Sequence, residues 1–409
     1  MEPSAPSIRQ TSLCLPFESE AHYRTCVEER TVYRAHIDRL CGEHPELFPE
    51  GIGSGYGLHS QYYSVKQQLL LRRIRLKATG KVYLIRPSFV LPYMVGRTDD
   101  LEKALRLRRW GVPFEELACQ FGRDPMYYYR AWVSFGRVAL VGTTVKTVAQ
   151  LPAHLVADEK HTWVQGEKVY LATTAANGCL LGASLATEAS ADALEKAYGE
   201  FATEARQVQP DYTPQTVNTD GFQSTRDAWT RVFKTITLIL CFLHSVLKIR
   251  ERCRKALRRR LLDQAWHVYE AKTKAQFSQR VRRLREWAHA HLDPGPVQEA
   301  VLKLCQRRGD FLLAYAFPDA ARTSNTVDRL LNYMDRVLYS MNYFHGTTLT
   351  ARLAVRAMAL QWNFHPYGVR TQRADATRSS PFADLNGFQY HPNWLHNLLI
   401  AASMGGRRL

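Results

Sequence analysis

The stretch that decides the fold begins Leu151-Pro-Ala-His154-Leu-Val-Ala-Asp158-Glu-Lys160. It continues through Lys168 to Thr174, Asn177-Gly178 and Cys179 to Ala186, and ends with Ile236 to Leu243 before His244. Short apolar runs bounded by turn residues read as strands, and Asn-Gly closes a tight hairpin because its central residues take positive φ. The spacing predicts three antiparallel strands, the first leading through His154 to Ala157 into Asp158. A helix is expected from about Asp192 to Gln207, where Leu194, Ala197, Tyr198, Phe201 and Ala205 recur on one face. Gln215 to Thr219 reads as a strand into Asp220, about Thr225 to Phe233 as a helix, and Ile236 to Leu243 as a strand into a basic helix starting near His244.

Strand, strand, strand, helix, strand, helix, strand, helix is the order of an RNase H-like α/β fold, a mixed sheet flanked by helices. It sets Asp158 on the first strand and Asp220 at the end of the fourth, and neighbouring strands bring them together. Two close carboxylates repel, and one takes up a proton unless a divalent cation compensates. The pair therefore predicts Mg²⁺, with Mn²⁺ as a substitute. Two ions about 4 Å apart suit in-line displacement at phosphorus. A third carboxylate is expected on a later helix, and Asp328 is the choice. That helix buries Val327, Leu330, Leu331, Met334, Leu338 and Met341 and leaves Asp328 at the edge of the packed face. Asn325 with Asp328 also reads as an ordinary helix start, a cap followed by an acid in the first turn. Asp335, two turns along, is the reserve. Cys241, His244 and Asn325 are expected as neighbours of this site. Cys241 and His244 lack a second pair of ligands, so zinc is not expected. His244 is read as ordering the edge of the active site or meeting DNA, and Cys241 as packing in the core.

Upstream, Lys81 to Val95 reads as an extended lead-in to three short helices. The first starts at Thr98 or Asp99, with Leu101, Ala104 and Leu105 inward. The second has Pro113 in its first turn and carries Phe114, Leu117, Ala118 and Phe121 on one stripe. The third is capped at Asp124-Pro125 and buries Tyr128, Ala131, Trp132 and Phe135. This is helix-turn-helix spacing, and Arg123, Tyr127 and Arg130 are the candidate DNA contacts on its outward side. A plain three-helix bundle has the same pattern.

Downstream, Lys248 to Arg260 holds eight cations and one acid, too lopsided to compensate itself, and Arg280 to Arg285 adds more charge. Lys248, Arg250, Arg258, Arg259 and Arg260 are read as phosphate contacts. The whole chain of 409 residues has 55 Lys and Arg against 38 Asp and Glu, a net +17, which points to a polyanionic partner, double-stranded DNA first. A membrane partner is not expected, since no apolar run approaches the roughly 20 residues of a span. Eight cysteines without a CxxC pair, and no visible secretory signal, predict a reducing, cytoplasmic setting.

Four blocks, His154-Leu-Val-Ala-Asp158-Glu-Lys, Asn218-Thr-Asp220-Gly, Cys241-Phe-Leu-His244 and Thr323-Ser-Asn-Thr-Val-Asp328, together resemble those of DDE-type transposases from bacterial insertion sequences. Most specific is Cys241-x-x-His244, which resembles the C/D-x-x-H block of Mutator-like and related enzymes. The resemblance covers about 100 to 365 and departs from the family in one respect, since the third acid is Asp where Glu is usual. It implies that Asp158, Asp220 and Asp328 are catalytic and hold Mg²⁺. It also implies cleavage at transposon ends, transfer of the 3′-hydroxyls to target DNA, a homo-oligomeric synaptic complex, and a place with the bacterial nucleoid. The expected layout is 1–95 without an assigned role, 96–150 helix-turn-helix, and 151–245 the first part of the core. A basic helical insertion at 246–321, the last part of the core at 322–365 and a tail at 366–409 complete it. A nuclease of the same fold that does not join, and a DNA-binding regulator that has lost catalysis, are the alternatives.

Overall fold

A computed structural model describes residues 11–92 and 94–406 of the chain. The architecture is mixed α/β, two mixed sheets flanked by helices. The first sheet comes from residues 1–95, which the sequence left without an assigned role. It comprises β1 (Ser12–Leu15), β2 (Tyr56–Ser64), β3 (Leu69–Leu76) and β4 (Val82–Pro87) in the order β1-β4-β3-β2, with β1 parallel to β4. Helices α1 (Glu20–Glu28) and α2 (Arg30–Glu43) lie between β1 and β2 in the chain, and their Tyr23, Cys26, Tyr33 and Ile37 join the core of that sheet.

The three upstream helices form as expected: α3 (Thr98–Arg108), α4 (Phe114–Phe121) and α5 (Pro125–Ser134). Asp124 caps α5 by accepting the Met126 N–H, and Tyr128, Ala131 and Trp132 are buried. Phe121, expected inside, is exposed at the last turn of α4. After the short α6 (Leu140–Thr144), the second sheet is built from β5 (His154–Val164), β6 (Glu167–Ala176), β7 (Cys179–Ala186), β8 (Thr216–Thr219) and β9 (Thr237–Leu240), in the order β7-β6-β5-β8-β9. β5, β6 and β7 are antiparallel, whereas β5, β8 and β9 run parallel. The two parallel connections are carried by α7 (Ala191–Val208) and α8 (Gln223–Val232).

The run Ile236 to Leu243 divides differently from expectation. Strand β9 stops at Leu240, and α9 (Phe242–Arg252) already includes His244. The basic stretch from Lys248 to Arg260 is not one helix, because it breaks at Cys253-Arg254, where α10 (Lys255–Tyr269) begins. The break lets Val246 and Ile249 on one side and Leu261 and Ala265 on the other enter a single core. Helices α11 (Lys274–His291), α12 (Pro296–Gln306) and α13 (Arg308–Leu312) complete this cluster, and α14 (Asn325–Tyr339) returns to the sheet.

The next helix, α15 (Thr348–Phe364), is the central post of the molecule, with eleven of its residues buried. Its buried Gln361 receives the Trp132 indole N–H at 3.0 Å and donates to Leu105 O at 2.6 Å, tying α3 and α5 to the post. The tail holds α16 (Val369–Ala374), α17 (Pro381–Asn386) and α18 (Trp394–Ala401), the last entirely buried. Among the described residues, no helix is long and apolar enough to cross a membrane.

Candidate metal centre

The site forms where the parallel strands end. Val156 on β5 stands opposite Asn218 on β8, so Asp158 and Asp220 both lie two residues further along neighbouring parallel strands. Open α/β sheets place ligands at the carboxyl ends of such strands. Asp220 sits just past β8, and its Oδ1 accepts the Phe222 N–H at 2.7 Å. Gly221 makes the turn with φ +84. A Cβ there would lie 2.5 Å from Leu240 Cδ1 and 2.9 Å from the Arg307 guanidinium, so no other residue fits without displacement.

The third acid arrives by a pinned return of the chain. Asn218 Nδ2 donates to Ala321 O at 3.0 Å, the Phe242 N–H to Arg322 O at 3.1 Å, and the Ser324 N–H to Cys241 Sγ at 3.2 Å. These contacts lay residues 321–324 across the strand ends and start α14 beside β9. Asp328 is in its first turn, and Ser324 Oγ donates to Asp328 Oδ2 at 3.4 Å. One ligand atom each from Asp158, His244 and Asp328 lie within 4.8 Å of one another, a spacing that fits one metal ion.

The sequence proposed Asp158, Asp220 and Asp328 as the ligand set. The structure gathers the first and third with His244 in the tight group, and Asp220 adjoins it as a charge felt by both Asp158 and His244. Asn325 does not cap α14: Ser324 takes that position because Cys241 holds it, and Asn325 is exposed as the first helical residue. Asp335 is paired with Lys160 Nζ of β5.

Charge explains why this arrangement suits a cation. Asp158 is buried, and its carboxyl is pushed up to about 6, most strongly by burial. Asp220 and Asp328 add to the rise and His244 opposes it. Burial lowers the affinity of His244 for its proton, yet Cys241 and then Asp158 and Asp220 reverse this and raise it to about 9. Burial likewise raises the Cys241 thiol, but contact with His244 and Ser324 leaves it below its ordinary value. The pocket thus holds more negative charge than its own cations balance. Carboxylate oxygens with one imidazole suit a hard or borderline divalent cation, and such an ion competes with the His244 proton for the same charge.

Three neighbours escaped the sequence reading. Glu159, on the opposite face of β5 from Asp158, accepts the Tyr198 hydroxyl at 2.5 Å and the Thr225 hydroxyl at 2.7 Å, fastening α7 and α8 behind the site. Burial is the main reason that its carboxyl rises to about 7. Ser324 joins Cys241, His244 and Asp328. Arg307, at the end of α12, reaches back to Gly221 while its Nε pairs with Asp310 at 3.1 Å. Glu159 and Ser324 lie within the quoted blocks but were given no role there, and Arg307 lies outside any block.

The candidate DNA-contact residues fall in two places. Lys248, Arg250, Arg259 and Arg260 are exposed on α9 and α10, with Arg260 also 5.5 Å over the Trp287 ring. Arg258 is half-buried and donates to Cys253 O at 3.0 Å, where it braces the helix break. Arg123, Tyr127 and Arg130 line a cleft beside the first sheet.

No protein-family model matches this sequence, and the comparison with curated proteins returns no match.

Proposed function

We propose that this protein is a DDE-type transposase with an RNase H-like core and a DDD acid set, acting on double-stranded DNA. The observation that carries the reading is the convergence of Asp158, within β5 just past its parallel pairing with β8, and Asp220, just past the end of β8, with Asp328 and His244 delivered by two helix starts. Asp158, His244 and Asp328 would hold a divalent ion, with Asp220 adjoining. Among the described residues there is no second group of three ligands for the other ion of a two-metal mechanism. Magnesium or manganese bound there supplies Lewis acidity at the scissile phosphate.

The chain's own residues do the rest. Ser324 and Cys241 fix the start of α14 and hence the reach of Asp328. Arg307 sets a guanidinium beside the Asp220 loop, where it meets negative charge on a phosphate. The exposed cations of α9 and α10 hold the DNA backbone, and α3 to α5 supply the helix-turn-helix. Synapsis of two ends then calls for a homo-oligomer.

The test is Mg²⁺-dependent cleavage and strand transfer on duplexes taken from the genomic sequence flanking its coding region, with Asp158→Ala, Asp220→Ala and Asp328→Ala compared. Loss of both reactions in all three, with binding retained, is the expected result. Cutting without joining identifies a nuclease, and binding without cutting identifies a regulator. No binding at all overturns the proposal.

A further inference from the structure

Between the first sheet, α5 and α18 lies a cleft of about 560 Å³ with an unusual charge balance. Arg86, Arg123, Arg130 and Arg137 all line it, and among the described residues no Asp or Glu does. Arg123, Arg130 and Arg137 are exposed, and among the described residues Arg130 and Arg137 have neither an ion-pair nor a hydrogen-bond partner. Arg86 donates to Val90 O at 2.5 Å and also meets the Cys14 thiol. Arg123 holds a left-handed backbone, φ +66, at the turn into α5, a conformation that costs free energy for any residue but glycine. That backbone lays its guanidinium 4.6 Å over the Tyr127 ring, and the Tyr127 hydroxyl is anchored on Val95 O at 2.9 Å. The floor is apolar, with Leu398 of α18 within it.

We infer that this cleft binds a nucleoside phosphate. Guanidinium groups without carboxylate partners match the paired oxygens of a phosphate. The Arg123 guanidinium held on Tyr127 and the apolar floor give a flat base a surface to lie on. The volume is within the range of small-ligand sites, roughly 300 to 1,000 Å³, and admits one nucleotide unit without a base-paired partner. Two sources share this chemistry: a free nucleotide, or one unpaired from a DNA strand. The second rests on the DNA reading proposed above, and the first does not. Arg123, Tyr127 and Arg130 are shared with the helix-turn-helix contacts of α5, so a duplex seated on α5 and a nucleotide in the cleft exclude each other.

Calorimetry of the full chain with dAMP, deoxyadenosine and inorganic phosphate reads the first source. The second is read by comparing its affinity for a blunt duplex with that for the same duplex carrying a one-nucleotide 2-aminopurine bulge. Either dAMP binds about tenfold tighter than deoxyadenosine or phosphate, or the bulged duplex is preferred by about that factor with a change in 2-aminopurine fluorescence. Arg130→Gln and Arg137→Gln each remove the effect. Both side chains are exposed, and unchanged melting of the variants verifies the fold. Binding of dAMP without binding of any duplex keeps the cleft and removes the DNA reading. The proposal is overturned if neither preference appears, or if the variants weaken blunt and bulged duplexes equally.

Discussion

Replacing Asp158 by Asn is expected to stabilise the metal-free protein and to abolish its response to divalent cations. The carboxyl is held at about 6, against an ordinary 3.8, mainly by burial, with Asp220 and Asp328 adding to the rise. The folded chain therefore binds this proton more tightly than the unfolded chain. Ionised Asp158 costs the fold about 3 kcal/mol at neutral pH, at about 1.4 kcal/mol for each unit of pKa. That cost is fully present above about pH 6 and disappears as pH falls through 6 toward 3.8. The amide keeps the oxygen that accepts the Glu159 N–H at 2.9 Å and removes the charge. In a chain of this length, about 3 kcal/mol raises the melting midpoint by roughly 3 °C. Thermal unfolding followed by tryptophan fluorescence, in EDTA and in excess Mg²⁺ or Mn²⁺, reads both effects. In EDTA, Asp158→Asn melts above wild type at pH 7.5, and the gap closes in mild acid. Cations raise the wild-type midpoint only, through mass action on the folded form. A lower midpoint for the variant in EDTA, or equal cation responses, refutes the placement of Asp158 as a charge-burdened ligand.

Three further outcomes are expected. Glu159→Ala strands the buried hydroxyls of Tyr198 and Thr225 and destabilises the protein by about 1–3 kcal/mol in urea titration, while Glu159→Gln recovers most of this. His365 is kept neutral to about pH 3, first by burial and then by Arg109, so the unfolded chain takes up its proton first as pH falls. Stability falls by about 2 kcal/mol between pH 7 and pH 5 from this residue alone, and His365→Gln flattens that part of the urea-midpoint profile. Gly136→Ala drives a Cβ into the carbonyl of Leu353 on α15, and a loss of about 3 kcal/mol is expected by the same assay.

The second sheet was legible because its strands are apolar runs with a turn pair at Asn177-Gly178, and because Asp158 and Asp220 stand where those runs stop. In the first sheet only β4, within the extended lead-in from Lys81, was legible. β2 reads Tyr-Gly-Leu-His-Ser-Gln-Tyr-Tyr-Ser and is mostly half-buried or exposed, while β3 carries Arg72, Arg73 and Arg75 amid its apolar residues. Arg72 is nonetheless buried, its charge directed to Val27 O, a pairing that depends on α1 and that no local pattern announces. At the site, Cys241-x-x-His244 marked the right turn, but the role of His244 depends on residues 321–324 crossing the strand ends. Arg307 depends on the packing of an entire helical cluster. Alternation and capping are local, whereas contacts that assemble a site join distant segments.

The first strand has a consequence for how the chain is made. The Cys14 N–H donates to Ser403 Oγ at 2.8 Å, and that hydroxyl donates back to Cys14 O at 3.0 Å, a contact spanning 389 residues. At about 5–20 residues per second, β1 leaves the ribosome roughly 20 to 80 s before its partner exists. For that interval β1 has β4 to pair with, but α18 and residues 403–406, which also pack against it, have not been made. Production of this protein is therefore expected to depend on holdase chaperones, and a silent change that slows translation near codon 400 prolongs the exposure.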